Sequence, residues 1–265
     1  MRRSGTAGLG ARVTLVGRLL PREAPALVAP LRAALRARGI VLAESRAIAA
    51  RPGPVLVLQD GSEHAGSHLL VAAGRAVPAG ELGIAPGPDG FATDTGLRVL
   101  GQRNLYAAGD CADPAGIGPQ RFTHVAGAHA ALLIRRLVFR LPARLDPIPP
   151  VRTVYTDPEL AQVGATEGAR ILEHPMREND RALAEGETAG LARLVLDARG
   201  RLIGAGITAP AAGEMIGLYA LAIHQRLPLA AIAGLGARVT LVGRLLPREA
   251  PALVAPLRAA LRARG

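Results

Sequence analysis

The side chains able to do redox chemistry are few. Cys111 is the only cysteine among 265 residues. No disulfide can close within one chain, and no thiol pair exists there for exchange. Alone, Cys111 reads as a small buried side chain. Gly109 and Asp110 interrupt the stretch NLYAAGDCAD, residues 104–113. Glycine lets a backbone approach another group closely. Taken singly, Asp110 is a turn or cap residue. Phe122, Thr123 and His124 open the stretch FTHVAGAHAA, and His124 alone reads as a surface histidine. Gly74 and Arg75 lie in VAAGRAVP, where Gly74 suits a strand-end turn. Arg18 follows VTLVG, in a chain with many other arginines. The GTAGLG near the start lacks the GxGxxG spacing of a phosphate-cradling turn, and it leads into a strand instead of following one.

The elements that must position these residues follow from pattern. Arg12–Val16 is expected as a short buried strand. Pro25–Arg38 is expected as a helix with Leu27, Val28, Leu31 and Leu35 on one face, stopped by Gly39. Strands are expected at Ile40–Leu42, and at Val55–Gln59 and Leu69–Ala72 around an Asp60–Gly61 turn. A Pro/Gly loop is expected at 80–90, a strand at Asn104–Ala108 and a helix at Val125–Phe139. Four prolines in 141–150 mark a linker. Beyond it, strands are expected near Val151–Tyr155, Ala161–Gly164, Ala192–Asp197 and Leu202–Ala209, the last two joined by an Arg199–Gly200 turn. A helix at Ala211–Gln225 follows. Alternating α and β before the linker implies an open parallel sheet; strands followed by a helix after it imply a separate α+β domain.

Composition excludes several classes. About half the residues are apolar but only three Phe and three Tyr occur, with no Trp, so the core is aliphatic. The net charge of +11 suggests nucleic acid at first sight. Yet every cationic side chain is arginine, no dense basic run occurs, and the aromatics are too few to make a stacking platform. The expectation is no nucleic-acid partner. No apolar run has the length of a signal peptide core or a membrane span, so a soluble, cytoplasmic chain without membrane association is expected. No metal-ligand cluster is expected either.

One feature has no ordinary structural reading. Residues 8–39 recur letter for letter at 234–265. Two identical, distant copies are unlike the adjacent and diverged units of a solenoid. The segment reads as strand then helix, and one position in a sheet holds one copy. The other must stay loose, compete for that position or pair with another chain, with the hazard of an unpaired apolar strand.

Three ordered stretches carry a likeness: residues 104–131 (NLYAAGDCAD to FTHVAGAHAA), YTDPELAQVGATE at 155–167, and residues 178–216. Together they resemble the pyridine nucleotide–disulfide oxidoreductases, and within them the mercuric reductase and dihydrolipoamide dehydrogenase-like branch. The likeness runs over roughly residues 8–229. It implies an α/β fold with partial Rossmann-like nicotinamide-binding and FAD-binding segments, followed by an α+β dimerisation domain. The implied boundaries are 1–103 for the partial nicotinamide-binding domain, 104–145 for the FAD-domain return segment, 151–230 for dimerisation, and 234–265 for the duplicate.

The resemblance also implies a flavoprotein oxidoreductase passing hydride from NAD(P)H through FAD to a disulfide or a metal ion such as mercuric ion, and a homodimer through 151–230. It places Gly109 and Asp110 at the flavin's ribityl chain, with Phe122, Thr123 and His124 opening a helix whose N–H groups meet the flavin's electron-rich end. VTLVGR resembles the second strand of the nicotinamide domain. Gly17 stands where the family often has an acid for NAD ribose, and Arg18 suits the extra phosphate of NADPH. Gly74 and Arg75 resemble a second contact with that cofactor.

Four further family parts have no counterpart in the sequence: a flavin-binding Gly-rich turn, a redox cysteine pair, a second Gly-rich turn and a carboxy-terminal catalytic His. His174–Pro175 has the fitting dipeptide but precedes the 178–216 match. The expectation is therefore a fragment with no catalytic residue assigned, whose alternative role is a non-catalytic dimerisation or interaction module.

Overall fold

The computed structural model describes residues 10–78, 83–229 and 231–232. The second repeat copy, residues 8–9 of the first, most of GTAGLG and part of the 80–90 loop lie outside the described residues. Two compact units form. One holds residues 10–69 together with 151–232; the other holds 70–150.

In the first unit, β1 (Thr14–Val16) pairs in parallel with β2 (Val41–Ala43) across helix α1 (Pro25–Ala37). Sequence sets both ends of α1. Pro25 sits at the first helical position, where its missing N–H is not needed. At the other end Gly39 adopts φ +75°. Its N–H donates to the Arg36 carbonyl at 2.9 Å, and that of Ile40 donates to the Leu35 carbonyl at 3.2 Å. This is a Schellman stop, which requires a left-handed residue at Gly39. An antiparallel meander follows: β3 (Ala47–Arg51), β4 (Val55–Leu58) and β5 (Glu63–Ala65). The expected Asp60–Gly61 turn is present, but it joins β4 to β5 and not to a strand at Leu69–Ala72. Leu69–Ala72 is not a strand. No neighbouring strand pairs with it among the described residues, and Leu70 and Val71 are 90% and 74% exposed.

In the second unit, β6 (Phe91–Thr93) pairs in parallel with β7 (Ala112–Pro114). The expected strand Asn104–Ala108 is reduced to a single bridge between Tyr106 and Arg98. Helix α2 (Thr123–Leu133) is shorter than the expected Val125–Phe139 and gives way to a π turn at Ile134–Val138. The apolar residues continue past Leu133, but Ile134, Leu137, Val138 and Phe139 are all exposed, so no packing holds the α geometry there. A small core joins Leu97, Val99, Ala107 and Ala112 to Leu132 and Leu133 of α2.

The first unit resumes with β8 (Arg152–Val154), β9 (Glu159–Gly164), β10 (Arg170–Pro175), the short helix α3 (Asp180–Glu185), β11 (Leu191–Leu196), β12 (Leu202–Ala209) and α4 (Ala212–His224). The strands form one antiparallel sheet in the order β10-β11-β12-β9-β8. Side-chain alternation assigns its two faces. Ala161, Val163, Ala192, Leu194, Ala205 and Ile207 pack beneath α4, with Met215, Ile216 and Tyr219. Helix α4 therefore has its mate in its own sheet.

The opposite face is covered by α1. Leu27, Val28, Leu31 and Leu35 are buried there with Leu160, Val154 and Leu191. At about 2 kcal/mol per side chain, the four residues of α1 contribute about 8 kcal/mol of gross transfer free energy. Polar contacts fix the helix's position. The Ala24 N–H donates to Gln162 Oε1 at 3.0 Å, and Thr208 Oγ1 donates to the Leu27 carbonyl at 2.7 Å. Arg152 forks onto Glu23 at 2.9 and 3.0 Å, and Arg38 pairs with Asp157. Gly206 leaves the space that the Leu27 side chain fills: a Cβ there would stand 2.1 Å from Leu27 Cδ1.

Candidate functional site

Most of the expected site residues lie in the unit of residues 70–150. The chain leaves the Tyr106 bridge, buries Ala107 and turns sharply at Gly109, whose φ of +69° is left-handed. An added Cβ would stand 3.1 Å from the Ala126 Cβ of α2, so glycine permits both the turn and the close approach of the helix. The Gly109 N–H donates to Nδ1 of His129 at 3.0 Å. His129 is buried, and burial holds its pKa below the ordinary imidazole value. As an acceptor at Nδ1 it is the neutral Nε2–H tautomer. This hydrogen bond ties the Gly109 turn to the second turn of α2.

Asp110 is next in the turn and half exposed, and its Oδ2 pairs with Arg75 Nη1 at 2.6 Å. Arg75 is in turn latched to Arg121: Arg75 Nη2 donates to the Arg121 carbonyl at 3.0 Å, and Arg121 Nη1 donates to the Arg75 carbonyl at 2.7 Å. Arg121 Nη2 reaches the Asp89 carbonyl at 3.3 Å, while its buried Nε has no partner among the described residues. Phe122 follows as the N-cap of α2. It offers no side-chain cap, so the first-turn N–H groups are not satisfied by a capping side chain. Thr123 and His124 are exposed on that turn, and the His124 ring stacks on Phe122 with centroids 5.5 Å apart.

The structure thus brings Gly109, Asp110, Arg75 and the amino end of α2 into one cluster. Gly74 precedes it with φ +114° and open space where a Cβ would go. Arg18 is exposed just past β1, in the other unit. Gly17 before it has φ +111° and donates its N–H to the Ala43 carbonyl at 2.9 Å. Arg121 and His129 were not singled out by sequence. Both lie beside or inside the FTHVAGAHAA stretch, but nothing in the spacing says that one would latch Arg75 and the other accept from Gly109. Cys111 is half-buried rather than buried, its thiol donating to the Ala108 carbonyl at 3.2 Å. A cleft of about 410 Å³ in the same unit is lined by Ile84, Asp89, Phe91, Leu100 and Asp113. Among the described residues no three His, Cys, Asp or Glu side chains gather as a metal set, and no helix is long and apolar enough to cross a membrane.

Comparison with known proteins gives this arrangement a family. A sequence model of pyridine nucleotide-disulphide oxidoreductases matches residues 4–132, and one for the dimerisation domain of the same proteins matches residues 150–235. The chain belongs to the pyridine nucleotide-disulphide oxidoreductase family. Members of this family depend on FAD and NAD(P)H. The chain is similar to a mercuric reductase of Acidithiobacillus ferrooxidans, 35% identical over 86% of this chain and 44% of the relative. It is also similar to a dihydrolipoyl dehydrogenase of Chlorobaculum parvum, 30% identical over 82% of this chain and 50% of the relative. Among solved structures, LpdA from Mycobacterium tuberculosis superposes with a TM-score of 0.76 at 26% identity, over 93% of this chain and 57% of that one. The chain therefore spans about half the length of the relatives it matches. The mixed α/β segments and the α+β dimerisation domain agree with this membership.

Proposed function

We propose that this chain contributes the carboxy-terminal part of an FAD-dependent oxidoreductase that passes hydride from NAD(P)H through flavin to a disulfide or metal-ion acceptor. The observation that carries the reading is the Gly109–Asp110 turn held against the amino end of α2 by the Gly109–His129 hydrogen bond. The residues present fit a flavin. The Gly109 turn presents the half-exposed Asp110 carboxylate, and the first turn of α2 offers N–H groups without a side-chain cap. Bound there, FAD would supply a two-electron carrier between nicotinamide and acceptor.

Each residue then has a role of its own. Asp110 Oδ2 is engaged by Arg75, so Oδ1 is the atom that would accept a ribityl hydroxyl. Arg75, held by Arg121, fixes the carboxylate's orientation. Thr123 and His124 N–H groups, with Phe122 setting the start of the helix, would favour partial negative charge. Arg18, with Gly17 where an acid would hold ribose hydroxyls, is read as favouring the extra phosphate of NADPH over NADH. Gly74 and Arg75 are read separately, within their own unit, as a second contact for a nicotinamide cofactor. The segments 1–103, 104–145 and 151–230 are read as nicotinamide-binding, flavin-return and dimerisation parts. A single cysteine supplies no dithiol within one chain, so disulfide turnover by this chain alone is not expected.

The test is titration of the purified chain with FAD, followed by flavin fluorescence and visible absorbance. Stoichiometric binding is expected, weakened about tenfold or more by Asp110→Ala, as loss of a hydrogen bond to a charged group implies. Absence of binding, or identical binding by the variant, would refute the assignment. A second reading is favoured by the dimerisation match over residues 150–235 and the complete sheet and helix there: a non-catalytic module that pairs with a second copy. A colourless chain that sediments as a dimer is its signature.

A further inference from the structure

The berth of α1 on the five-stranded sheet is made by residues outside the repeat. They are Gln162 and Thr208 for the backbone of Ala24 and Leu27, Arg152 for Glu23, Asp157 for Arg38, and the space over Gly206 for the Leu27 side chain. Everything that α1 brings to this berth lies within residues 23–38. Residues 249–264 contain the same side chains in the same order: Glu249, Ala250, Leu253, Val254, Leu257, Leu261 and Arg264 stand for Glu23, Ala24, Leu27, Val28, Leu31, Leu35 and Arg38. The contacts of the two segments with these berth residues are therefore the same, and the first copy alone adds the packing of Ile40 and Leu42, which lie beyond the repeat. Their relative occupancy is set by that added packing and by what tethers each segment to the sheet.

The tethers permit both. Ile232 is buried in the core under α4, on the face opposite the berth. The 21 residues from there to Leu253 span up to about 70 Å when extended, whereas a helix–sheet–helix layer is about 20 Å thick on a spacing of about 10 Å per layer.

We propose that residues 249–264 are a second, same-chain occupant of the α1 berth, and that the two copies exchange there. The sheet face recognises one sixteen-residue sequence, and the chain carries it twice. Exchange needs no new contact. It needs α1 to leave, and the incoming segment restores the Gln162, Thr208, Arg152 and Asp157 partners one for one.

Thiol cross-linking of the full chain tests the proposal. In a Cys111→Ser background, Asp157→Cys is combined with either Arg38→Cys or Arg264→Cys and treated with a short bis-maleimide, and the products are sized and mapped by mass spectrometry. The Arg38→Cys pair is the positive control, since Arg38 and Asp157 touch. The expected result is a cross-linked monomer with Arg264→Cys as well. Its yield should rise severalfold when Leu27→Asp weakens the first copy and vanish with Leu253→Asp. No cross-linked monomer with Arg264→Cys, in either the parental or the Leu27→Asp background, overturns the proposal. Cross-linking found only between two chains overturns it too, because the occupant would then come from a second copy of the protein.

Discussion

Replacing Gly109 by alanine should loosen the turn that the candidate flavin site is built on, by an amount that can be worked from geometry. At φ +69° an L-residue with a Cβ is disfavoured by about 1 kcal/mol. The new methyl would also stand 3.1 Å from the Ala126 Cβ, so α2 must give by a few tenths of an ångström. That shift strains the 3.0 Å hydrogen bond from Gly109 to His129, for about 1 kcal/mol more. The sum is about 2 kcal/mol, or roughly a thirtyfold increase in local opening at 1.4 kcal/mol per factor of ten. Native-state hydrogen exchange on peptides spanning residues 104–133 measures this opening directly. Adding Ala126→Gly should recover only the contact part, because the left-handed backbone still carries a Cβ; the pair should couple by no more than about 1 kcal/mol. Exchange in Gly109→Ala within about 0.3 kcal/mol of the parent would show that the turn does not need its conformation. Full recovery in the double variant would show that only the contact mattered.

His129 gives a pH signature. Its folded pKa lies below its unfolded value because it is buried, so the unfolded state binds the proton more readily. The stabilisation is complete above the unfolded imidazole value and is lost as pH falls through the folded one; His129→Gln should flatten this dependence in exchange data for residues 104–133. The forked Arg152–Glu23 pair should show asymmetry. Arg152→Met strands the nearly buried Glu23 carboxylate and should lose about 3 kcal/mol, while Glu23→Gln/Arg152→Met should lose less, as read from urea midpoints. Gly204→Ala would place a Cβ 1.9 Å from the Ala165 carbonyl oxygen. That atom is backbone and cannot rotate away, so a loss of about 2 kcal/mol or more is expected in thermal unfolding.

The parts of the fold legible in sequence are those whose signal is local or doubly buried. Strand β12 matches its expected bounds, Leu202–Ala209, because both faces are covered and every position is selected for burial. Helix α1 is fixed by Pro25 and Gly39. The misses are elements whose existence depends on a neighbour. Leu69–Ala72 has strand composition but no strand beside it. Conversely, β3 is Ala-rich, with little β propensity, and is held by pairing with β4. β10 is not legible in sequence because its apolar and polar residues do not alternate cleanly and it ends in Pro175, tolerable at the end of an edge strand. α3 has an Asn179 cap and a Gly186 stop, but six residues give no periodicity. The site was legible as motif residues, yet not as a cluster. The Arg75–Asp110 pair joins positions 35 apart for which the family likeness suggested different cofactors.

The sheet's two covers come from opposite ends of the synthetic sequence. α4 follows β12 immediately, whereas α1 is made long before the strands that berth it, with Ala24 and Leu27 finding partners 138 and 181 residues away. At about 5–20 residues per second on the ribosome, the apolar stripe of α1 waits roughly 10–30 s for residue 209. The sheet with α4 can close as one cooperative unit, and α1 should dock afterwards, so the free-energy barrier to folding should be insensitive to Leu31→Ala combined with Leu257→Ala, which weakens both copies alike, while the unfolding rate rises. A chaperone that binds exposed aliphatic helices would find its substrate in that interval.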